Sequence, residues 1–466
     1  MLRHDKIYPL LRSVAEMGYN CILWEVEDKI RWETCPECVH PDAFSKEEFK
    51  DILNYARSLG LEAIPLLQTL GHAEYVLKNQ EYQHLREMPE WEDCYCVSKP
   101  QVTELLQKWI AEYLSLFGEI RDFHFGGDEA YWFGKCPVCA DKIRQKGTLG
   151  LAMEHLQYLS DPLLKAGIRP NIWFDMVIQH QDETETLLPV LKNFRLWDWH
   201  YNRSFQEPYT ETLDILQHKF GLDVIPCSAA RAWGDRVGCP APHRAENSAV
   251  TAREAVLRNL SGYCTTSWSI RLGNYELQKH ILAIAPLAAK SPNSNFKELL
   301  QTSIIEQYAC NPEQAELFVK AADLCAVKYP YAMAHELGIG WCQCKMHKKI
   351  RHNWLKESLI KKREEIEYQN YNFDQARQDL KKALQIFQED LSSFSRSWQE
   401  AAEVQLAFLE LAQKIFTKDA DGLAYTQKLH QKMESLFKTW QTDLSAKTAA
   451  NSLLDAAEDY FSGSDQ

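Results

Sequence analysis

The chain has 466 residues, of which 45% are hydrophobic and 25% are charged, and its formal net charge is -13 at pH 7. This length exceeds that of one ordinary core, so it predicts two domains or one large barrel with an appendage. The acidic balance argues against a nucleic acid as partner, because binding of nucleic acid relies on Lys and Arg to neutralise phosphates.

The amino-terminal segment MLRHDKIYPLLRSVAEMGYN lacks the uninterrupted apolar core of a signal peptide. No stretch of the sequence is long and apolar enough to predict a membrane span. We therefore expect a cytoplasmic protein without a membrane partner. The sequence does not decide its oligomeric state.

Short apolar, β-branched or aromatic segments alternate with helix-like segments through about the first 290 residues, a pattern typical of parallel βα units. Between the first two strands, Ser45 followed by Glu48 predicts a helix with a capping box, which Gly60 terminates. The seven predicted strands are CILWEV (21–26), LEAIPLLQ (61–68), DFHFGG (122–127), NIWFDM (171–176), FRLWDWH (194–200), DVIPCSA (223–229) and YCTTSW (263–268).

An eightfold barrel needs one strand more, and the chain opens directly on a helix-like segment, DKIYPLLRSVAEMG. We expect a TIM-type (β/α)8 barrel that lacks its first strand. The alternative is a weak strand elsewhere in the sequence.

The composition changes after Pro330, beyond which proline is absent and Lys, Glu, Gln, Leu and Ala dominate. In DLKKALQIFQEDL, apolar residues from Leu380 to Leu391 recur at helical spacing, which predicts a helical bundle or hairpin. We therefore predict a barrel domain over residues 1–290 and an all-α carboxyl-terminal domain over residues 291–466.

The stretch HFGGDE at 124–129 ends the third predicted strand with two adjacent carboxylates. Consecutive side chains of a strand point to opposite faces, so Asp128 and Glu129 reach one pocket only if the strand has ended. Gly126 and Gly127 allow such an ending and a close approach of ligand to the main chain. The stretch predicts the edge of an active site; a solvated acidic turn or a helix cap is the alternative.

HFGGDE resembles the signature of glycoside hydrolase family 20, the β-N-acetylhexosaminidases. WEVED, IPLLQTLGHAEYVLK and the strand endings WFDM, LWDW and SW extend the resemblance, which covers roughly residues 1–290 and is closest to the hexosaminidase D-like branch. The resemblance implies a retaining exo-β-N-acetylhexosaminidase that removes terminal β-linked GlcNAc or GalNAc from small glycans or glycoconjugates.

In that family the substrate's acetamide oxygen is the nucleophile and forms an oxazolinium ion, which makes it an exception to the usual scheme of two separated carboxylates. The resemblance implies that Glu129 is the general acid and base, that Asp128 holds the acetamide N–H, and that catalysis needs no cofactor. We also expect the charge of Asp128 to raise the proton affinity of Glu129.

His72 and Asp28 match the family's histidine and acidic residue at two earlier strand ends, which suggests an Asp-His-Glu relay that tunes the acid. The alternative for His72 is a core histidine. Aromatic and polar residues near later strand ends are implied as substrate contacts: Trp173, Asp175, Trp197, Trp199, Tyr201, Trp233 and Trp268, with Asp235 a weaker candidate. Trp199 stands where the family has a tyrosine, for which Tyr201 is the nearby substitute.

The pairs CPEC and CPVC follow the first and third predicted strands, so both would lie at one end of the barrel. Cys35, Cys38, Cys136 and Cys139 could complete a structural zinc site of four thiolates. Cys94 and Cys96, in the intervening loop, could contribute instead. Free loop thiols are the alternative.

Two other functions are compatible with the sequence. The scaffold could be a catalytically impaired sugar-binding or interaction protein, since one strand is not found. A metal-dependent hydrolase is disfavoured because the paired histidine ligands of such sites are not found.

Overall fold

The computed structural model describes residues 2–232, 235, 239–268, 275–326 and 370–462. Within them, seven strands form one sheet in the order β1 to β7, and every neighbouring pair is parallel. The strands are β1 (Cys21–Glu25), β2 (Glu62–Leu66), β3 (Asp122–His124), β4 (Arg169–Trp173), β5 (Arg195–Trp199), β6 (Asp223–Arg231) and β7 (Cys264–Ser267). All seven predicted strands are confirmed, and β1 and β7 are the outer strands of this sheet.

The sheet is curled, because side chains from strands far apart in its order pack together on its inner face. This inner cluster contains Ile64, Leu66, Trp173, Trp197, Ile225 and Cys227, with Cys21, Leu23, Trp199, Cys264 and Trp268 packed against it. Tyr19, just before β1, closes the gap on the far side: its hydroxyl lies 2.9 Å from Oγ1 of Thr265 in β7. The arrangement is that of a TIM-type barrel with seven described strands.

Helices surround the sheet. The predicted capping box is confirmed, since the Ser45 hydroxyl accepts the Glu48 N–H at 3.1 Å and the Glu48 carboxylate accepts the Ser45 N–H at 2.8 Å. The described helices up to residue 290 are α1 (His4–Met17), α2 (Lys46–Ser58), α3 (Glu74–Leu77), α4 (Pro100–Phe117), α5 (Pro137–Lys146), α6 (Thr148–Lys165), α7 (Asp175–Gln179), α8 (Gln181–Leu191), α9 (Glu211–Leu213), α10 (His243–Leu257) and α11 (Lys279–Lys290).

Beyond α11 the described elements are all helical, as predicted: α12 (Phe296–Tyr308), α13 (Pro312–Cys325), α14 (Phe373–Glu389), α15 (Arg396–Thr417), α16 (Gly422–Phe437) and α17 (Asp443–Ser462). They share a core in which Leu380, Phe387 and Leu391 are fully buried. The helical region also contacts the amino-terminal segment, where the Arg3 N–H donates to the Trp440 carbonyl at 2.9 Å. Of the helices that the structure describes, none combines the length and the apolar character that crossing a membrane requires.

Candidate active site

The side chains of the candidate site lie at the carboxyl ends of the strands, where the loops leave the sheet. Alternation along each strand decides which residues face inward. In β1, Cys21 and Leu23 contact the inner cluster, and Glu25 follows on the same face. In β4, Trp173 faces inward, and Asp175 follows two residues later.

The segment HFGGDE leaves the sheet at once, as predicted. Strand β3 ends at His124, and Gly126 and Gly127 have φ angles of +67° and +94°. A Cβ atom on Gly126 would lie 1.9 Å from Oε1 of Gln68, so a larger residue would have to displace the Gln68 amide as well as adopt the left-handed conformation. These two residues place both carboxylates of Asp128 and Glu129 beyond the strand.

Three residues other than glycine at successive strand ends have left-handed backbone conformations. They are Glu27, His72 and Glu129, with φ angles of +41°, +51° and +45°. Such conformations cost of order 1–3 kcal/mol each and persist where the surroundings over-determine them, which is common at functional sites. The loops after β1, β2 and β3 therefore share one backbone feature at the same end of the sheet.

His72 joins the two adjacent carboxylates. Its Nε2 atom lies 3.4 Å from Oδ2 of Asp128 and 3.5 Å from Oε2 of Glu129. The two loops meet closely because Gly71 has no side chain: a Cβ atom there would lie 2.7 Å from the Asp128 carbonyl oxygen. The side chains of His72, Asp128 and Glu129 remain 22%, 12% and 29% exposed, so they form a wall that solvent and ligand can reach.

The electrostatics of this cluster correct one expectation. Although burial alone would lower the pKa of His72, Coulomb attraction to Asp128 and hydrogen bonds to Asp128 and Glu129 raise it to about 12. The hydrogen bond from His72 holds the pKa of Glu129 below its usual value, against the opposing effect of burial. The predicted rise in the proton affinity of Glu129 is therefore wrong for this arrangement, because the pKa of Glu129 is lowered by His72 in spite of burial.

Asp175 positions Glu129 from the neighbouring strand. Its Oδ2 atom accepts the Glu129 N–H at 3.0 Å, and its Oδ1 atom accepts the indole N–H of Trp199 at 3.1 Å. Burial and the charge of Asp128 raise the pKa of Asp175 to about 7. The hydrogen bond between Asp175 and the Glu129 backbone is observed. A contact between Asp175 and a sugar hydroxyl stays a prediction.

The predicted aromatic wall is assembled as a set of touching rings. Trp173 lies 6.0 Å from Trp197 and 5.7 Å from Trp268 between ring centroids, in edge-to-face arrangements. Trp199 stacks on Tyr201 at 5.6 Å, and the Trp268 indole N–H donates to the Tyr201 hydroxyl at 2.6 Å. The structure thus brings together four tryptophans and the substitute tyrosine, on the same face of the sheet as the carboxylates.

Three other predicted residues have different outcomes. Asp28 is buried and forms ion pairs with Lys29 and, at 3.8 Å, with Lys78; its part in a relay with His72 stays a prediction. Asp235 accepts the Nε–H of Arg244 at 2.9 Å, which gives it a structural partner. Trp233 lies outside the described residues.

Several polar residues of the site were not predicted from the sequence. Gln68 donates its amide to Oε1 of Glu25 at 2.9 Å, and burial raises the pKa of Glu25 to about 8. Burial also raises the pKa of Glu74, just after His72, to about 8. The Tyr131 side chain also lowers the pKa of Glu129. The period-two alternation from Leu23 could have identified Glu25.

His124 supports the loop from beneath and was not predicted either. It is fully buried against Trp173, with ring centroids 4.5 Å apart, and burial lowers its pKa to about 3. Its Nδ1 atom accepts the Gly126 N–H at 3.0 Å, so the neutral imidazole carries its proton on Nε2. A neutral ring here fixes the first glycine of the turn.

The predicted zinc site of two Cys-x-x-Cys pairs is not formed. Cys35 and Cys38 are joined to each other in a disulfide, which removes both thiolates as metal ligands. Cys136 and Cys139 instead meet Cys96 and Glu87, and the donor atoms of these four residues lie within 4.8 Å of one another. Cys94, the other alternative, lies outside this group and is buried in the same loop.

Comparison with known proteins finds a family that most of the sheet matches. Residues 20–230 match the family described as glycosyl hydrolase family 20, catalytic domain. Hexosaminidase D of Bos taurus is 30% identical over 202 residues, which cover 42% of this chain and 58% of that protein. Hexosaminidase D of Homo sapiens is 30% identical over 221 residues, which cover 45% of this chain and 42% of that protein. The chain thus spans about half the length of these curated relatives.

A solved structure shares the fold over a longer part of the chain. The X-ray structure of Flavobacterium johnsoniae chitobiase has a TM-score of 0.51 to this protein and 14% sequence identity. The alignment covers 97% of this chain and 76% of that chain. At this identity the likeness concerns the fold alone.

Proposed function

We propose that this protein is a retaining exo-β-N-acetylhexosaminidase, because residues 20–230 match the family described as glycosyl hydrolase family 20, catalytic domain. Its substrates would be small glycans or glycoconjugates that end in β-linked GlcNAc or GalNAc. One observation carries the proposal: Oδ2 of Asp128 contacts His72, whereas Oδ1 is buried and has no hydrogen-bond partner among the described residues. A buried acceptor without a partner is costly, and the N–H of an acetamide would satisfy it.

The first half of the reaction uses the substrate's own nucleophile. With its N–H held by Asp128, the acetamide oxygen attacks the anomeric carbon while the bond to the leaving oxygen breaks. The leaving oxygen takes a proton from Glu129, and the product is a bicyclic oxazolinium ion. Asp128 stabilises the positive charge that develops on this ion, because it lies against the nitrogen that carries the charge.

In the second half, Glu129 accepts a proton from a water molecule as the water attacks the anomeric carbon and opens the oxazolinium ring. The two displacements, on opposite faces of the sugar, retain the anomeric configuration. Glu129 is suited to both roles because its backbone is fixed by Asp175 and its carboxylate by His72.

The proton for the leaving group belongs to the pair of His72 and Glu129 rather than to either residue. His72 holds it in the resting arrangement, since its pKa is raised and that of Glu129 is lowered. When the leaving oxygen gains negative charge, transfer through Glu129 delivers the proton. Groups coupled in this way titrate as a unit.

The indole wall supports the same chemistry. Trp173, Trp197 and Trp268 form a continuous apolar surface, in which Trp173 and Trp197 are buried and Trp268 is partly exposed. Such a surface fits the methyl group of the acetamide and the apolar face of a sugar ring, and it keeps water from the oxazolinium ion. Substrate recognition would therefore combine one charged contact with an aromatic pocket.

The decisive test is hydrolysis of 4-nitrophenyl β-GlcNAc and β-GalNAc by the full chain, its Glu129→Gln variant and a control variant, Glu47→Gln. Glu47 is exposed on α2. We expect the Glu129 variant to lose about 10²–10⁴-fold in kcat/KM and the control to keep full activity. The loss should be greater on chitobiose than on the nitrophenyl substrate, because a poor leaving group depends more on the acid.

A second series tests the acetamide as nucleophile. Successive fluorine atoms on the N-acetyl group withdraw electrons from the acetamide oxygen, so kcat/KM should fall with each fluorine. A rate that is indifferent to fluorination would exclude acetamide assistance. Binding of an N-acetylglucosamine oxazoline mimic without any turnover, in a folded protein, would instead support a sugar-binding protein on this scaffold. The cytoplasmic location stays a prediction.

A further inference from the structure

Three segments of the chain converge beside the candidate active site. Glu87 follows a 3-10 helix (Gln80–Leu85), and Cys96 precedes α4. Cys136 is the N-cap residue of α5, and Cys139 lies in its first turn. The donor atoms of these four residues are mutually within 4.8 Å. We propose that they bind a structural zinc ion, a function that is independent of the proposed hydrolase activity.

The spacing of the sulfur atoms is that of a zinc site. Sγ of Cys96 lies 3.6 Å from Sγ of Cys136 and 3.8 Å from Sγ of Cys139. Zinc bonds thiolate sulfur at about 2.3 Å in a tetrahedral arrangement, so two sulfur ligands of one zinc ion lie about 3.8 Å apart. Disulfide sulfurs would lie about 2.05 Å apart. Cys96 therefore already has the separation from Cys136 and from Cys139 that ligands around a common centre have.

The fourth group explains why a cation is needed. Glu87 is 2% exposed, and the described residues include no Lys or Arg that forms an ion pair with it. Its two oxygens accept the Cys136 N–H at 2.8 Å and the Cys139 thiol at 3.4 Å. A carboxylate buried without a positive partner is costly. A divalent cation at the centre of the group would supply that charge.

The donor set selects zinc among common cations. Three thiolates and one carboxylate combine soft ligands with a tetrahedral count of four, which suits Zn²⁺ and not Mg²⁺ or Ca²⁺. All four positions would be filled by protein, so the ion would be structural rather than catalytic. The Ser98 hydroxyl lies 3.0 Å from Sγ of Cys139 and can hydrogen-bond to that ligand.

The position of the site gives it a consequence for the active site. The Ala73 N–H donates to the Asp93 carbonyl at 3.0 Å, and the Tyr95 N–H donates to the Leu70 carbonyl at 3.0 Å. The segment 93–96 is thus hydrogen-bonded to the loop of His72 on both sides of that residue. A zinc ion that joins Cys96 to the start of α5 would tie the loop of His72 to the loop of Asp128 and Glu129.

Zinc content of the purified full chain tests the proposal. We expect about one zinc ion per chain by elemental mass spectrometry. Cys96→Ser and Cys139→Ser should each lower the affinity for zinc by at least about tenfold, since each removes a ligand. Cys94→Ser is the matched control: it changes a buried thiol two residues from Cys96 that lies outside the group, and should leave the zinc content unchanged.

Binding of Co²⁺ provides a second measurement in case the cysteine variants fold poorly. Co²⁺ loaded in place of zinc should give the strong visible absorption of a tetrahedral site and a near-ultraviolet thiolate charge-transfer band. Glu87→Gln keeps the volume of the side chain and should weaken Co²⁺ binding while the protein remains folded.

Three results would overturn the proposal. The first is that the wild type binds zinc and Co²⁺ no better than the Cys96 variant does. The second is that the Cys94 control loses as much zinc as the Cys96 variant. The third is a disulfide among the three thiols in the protein as purified. Because metal content is measured without substrate, these outcomes are distinct from any failure of the hexosaminidase assay.

Discussion

The Nε2 atom of His72 lies 3.4 Å from Oδ2 of Asp128. The same nitrogen is 3.5 Å from Oε2 of Glu129, so one imidazole serves two adjacent carboxylates. This contact reverses the electrostatic expectation for the pair, because the hydrogen bond and the charge of the ring lower the pKa of Glu129 against the opposing effect of burial. His72 is therefore one of the groups that can hold a proton in this site.

The first prediction concerns the pH profile of His72→Gln. In the proposed mechanism, the proton that reaches the leaving group is shared by His72 and Glu129. Asp128, Glu74 and Glu25 are the other acidic groups that interact electrostatically with the ring. The pKa that describes the fall of kcat/KM at high pH, the basic limb of the profile, should therefore lie well above that of an ordinary carboxyl group. In the variant the proton rests on Glu129 alone, so this limb should move to lower pH.

The measurement is kcat/KM for 4-nitrophenyl β-GlcNAc between pH 4 and 10 in both proteins. A lower rate with an unchanged basic limb would mean that His72 does not share the proton. His84→Gln, which changes an exposed histidine at the end of the 3-10 helix (Gln80–Leu85), serves as the control and should leave the profile unchanged.

The second prediction concerns stability and Glu25. Burial raises the pKa of Glu25 from 4.5 to about 8. Between these values the folded state holds a proton that the unfolded state releases, so the free energy of unfolding falls as pH rises through this window. One such group contributes up to about 1.4 kcal/mol per pH unit.

Glu25→Gln should flatten the dependence of stability on pH without abolishing it, because Glu74 and Asp175 also have raised pKa values. Urea unfolding at pH 5, 6, 7 and 8 would show this as a smaller loss of stability toward pH 8. Glu47→Gln should preserve the wild-type slope. An equal slope in the Glu25 variant would show that Glu25 ionises normally in the folded protein.

The third prediction concerns Gly126→Ala and separates two effects of the added methyl group: overlap with a neighbouring side chain and strain of the backbone. A Cβ atom there would overlap the Gln68 amide at 1.9 Å, whereas Gly60, with φ +80°, has nothing within 4 Å of its Cβ position. Both alanine variants carry the strain of a positive φ, about 1 kcal/mol. Gly126→Ala must also displace Gln68.

We expect Gly60→Ala to keep its activity and to lose about 1 kcal/mol of stability. Gly126→Ala should lose more than this and most of its activity, since the turn that carries Asp128 and Glu129 moves. Thermal unfolding and kcat/KM would be measured on both variants. Equal behaviour of the two would indicate that Gly126 is required for its conformation alone.

The fourth prediction tests the hydrogen bond from the Trp268 indole to the Tyr201 hydroxyl, which is 2.6 Å long. Tyr201→Phe removes the acceptor that orients Trp268 and leaves the ring that stacks on Trp199. A net hydrogen bond is worth about 1 kcal/mol, so KM should rise about fivefold with a smaller change in kcat.

The control is Tyr158→Phe, which alters a tyrosine that is 58% exposed on α6. An unchanged KM in the Tyr201 variant would show that Trp268 keeps its position without this bond. A fall in kcat with an unchanged KM would assign Tyr201 to the chemical step instead.

The sequence by itself determined the secondary-structure elements and the polar residues at the ends of the strands. The seven strands, the capping box of Ser45 and Glu48, and the turn of Gly126 and Gly127 are all local, since each follows from side-chain periodicity or from backbone conformations that only certain residues adopt. The pairing of Asp128 with Glu129 at a strand end could be predicted for the same reason.

Only the tertiary structure decided which distant groups meet. Cys136 and Cys139 meet Cys96 and not the pair of Cys35 and Cys38. The spacing of the cysteines along the chain does not distinguish these two possibilities. The proton affinity of Glu129 is set by His72, which lies 57 residues earlier in the sequence. Metal coordination and the shift of a pKa depend on distances of a few ångströms and on burial, and both arise only when the strands have been brought side by side.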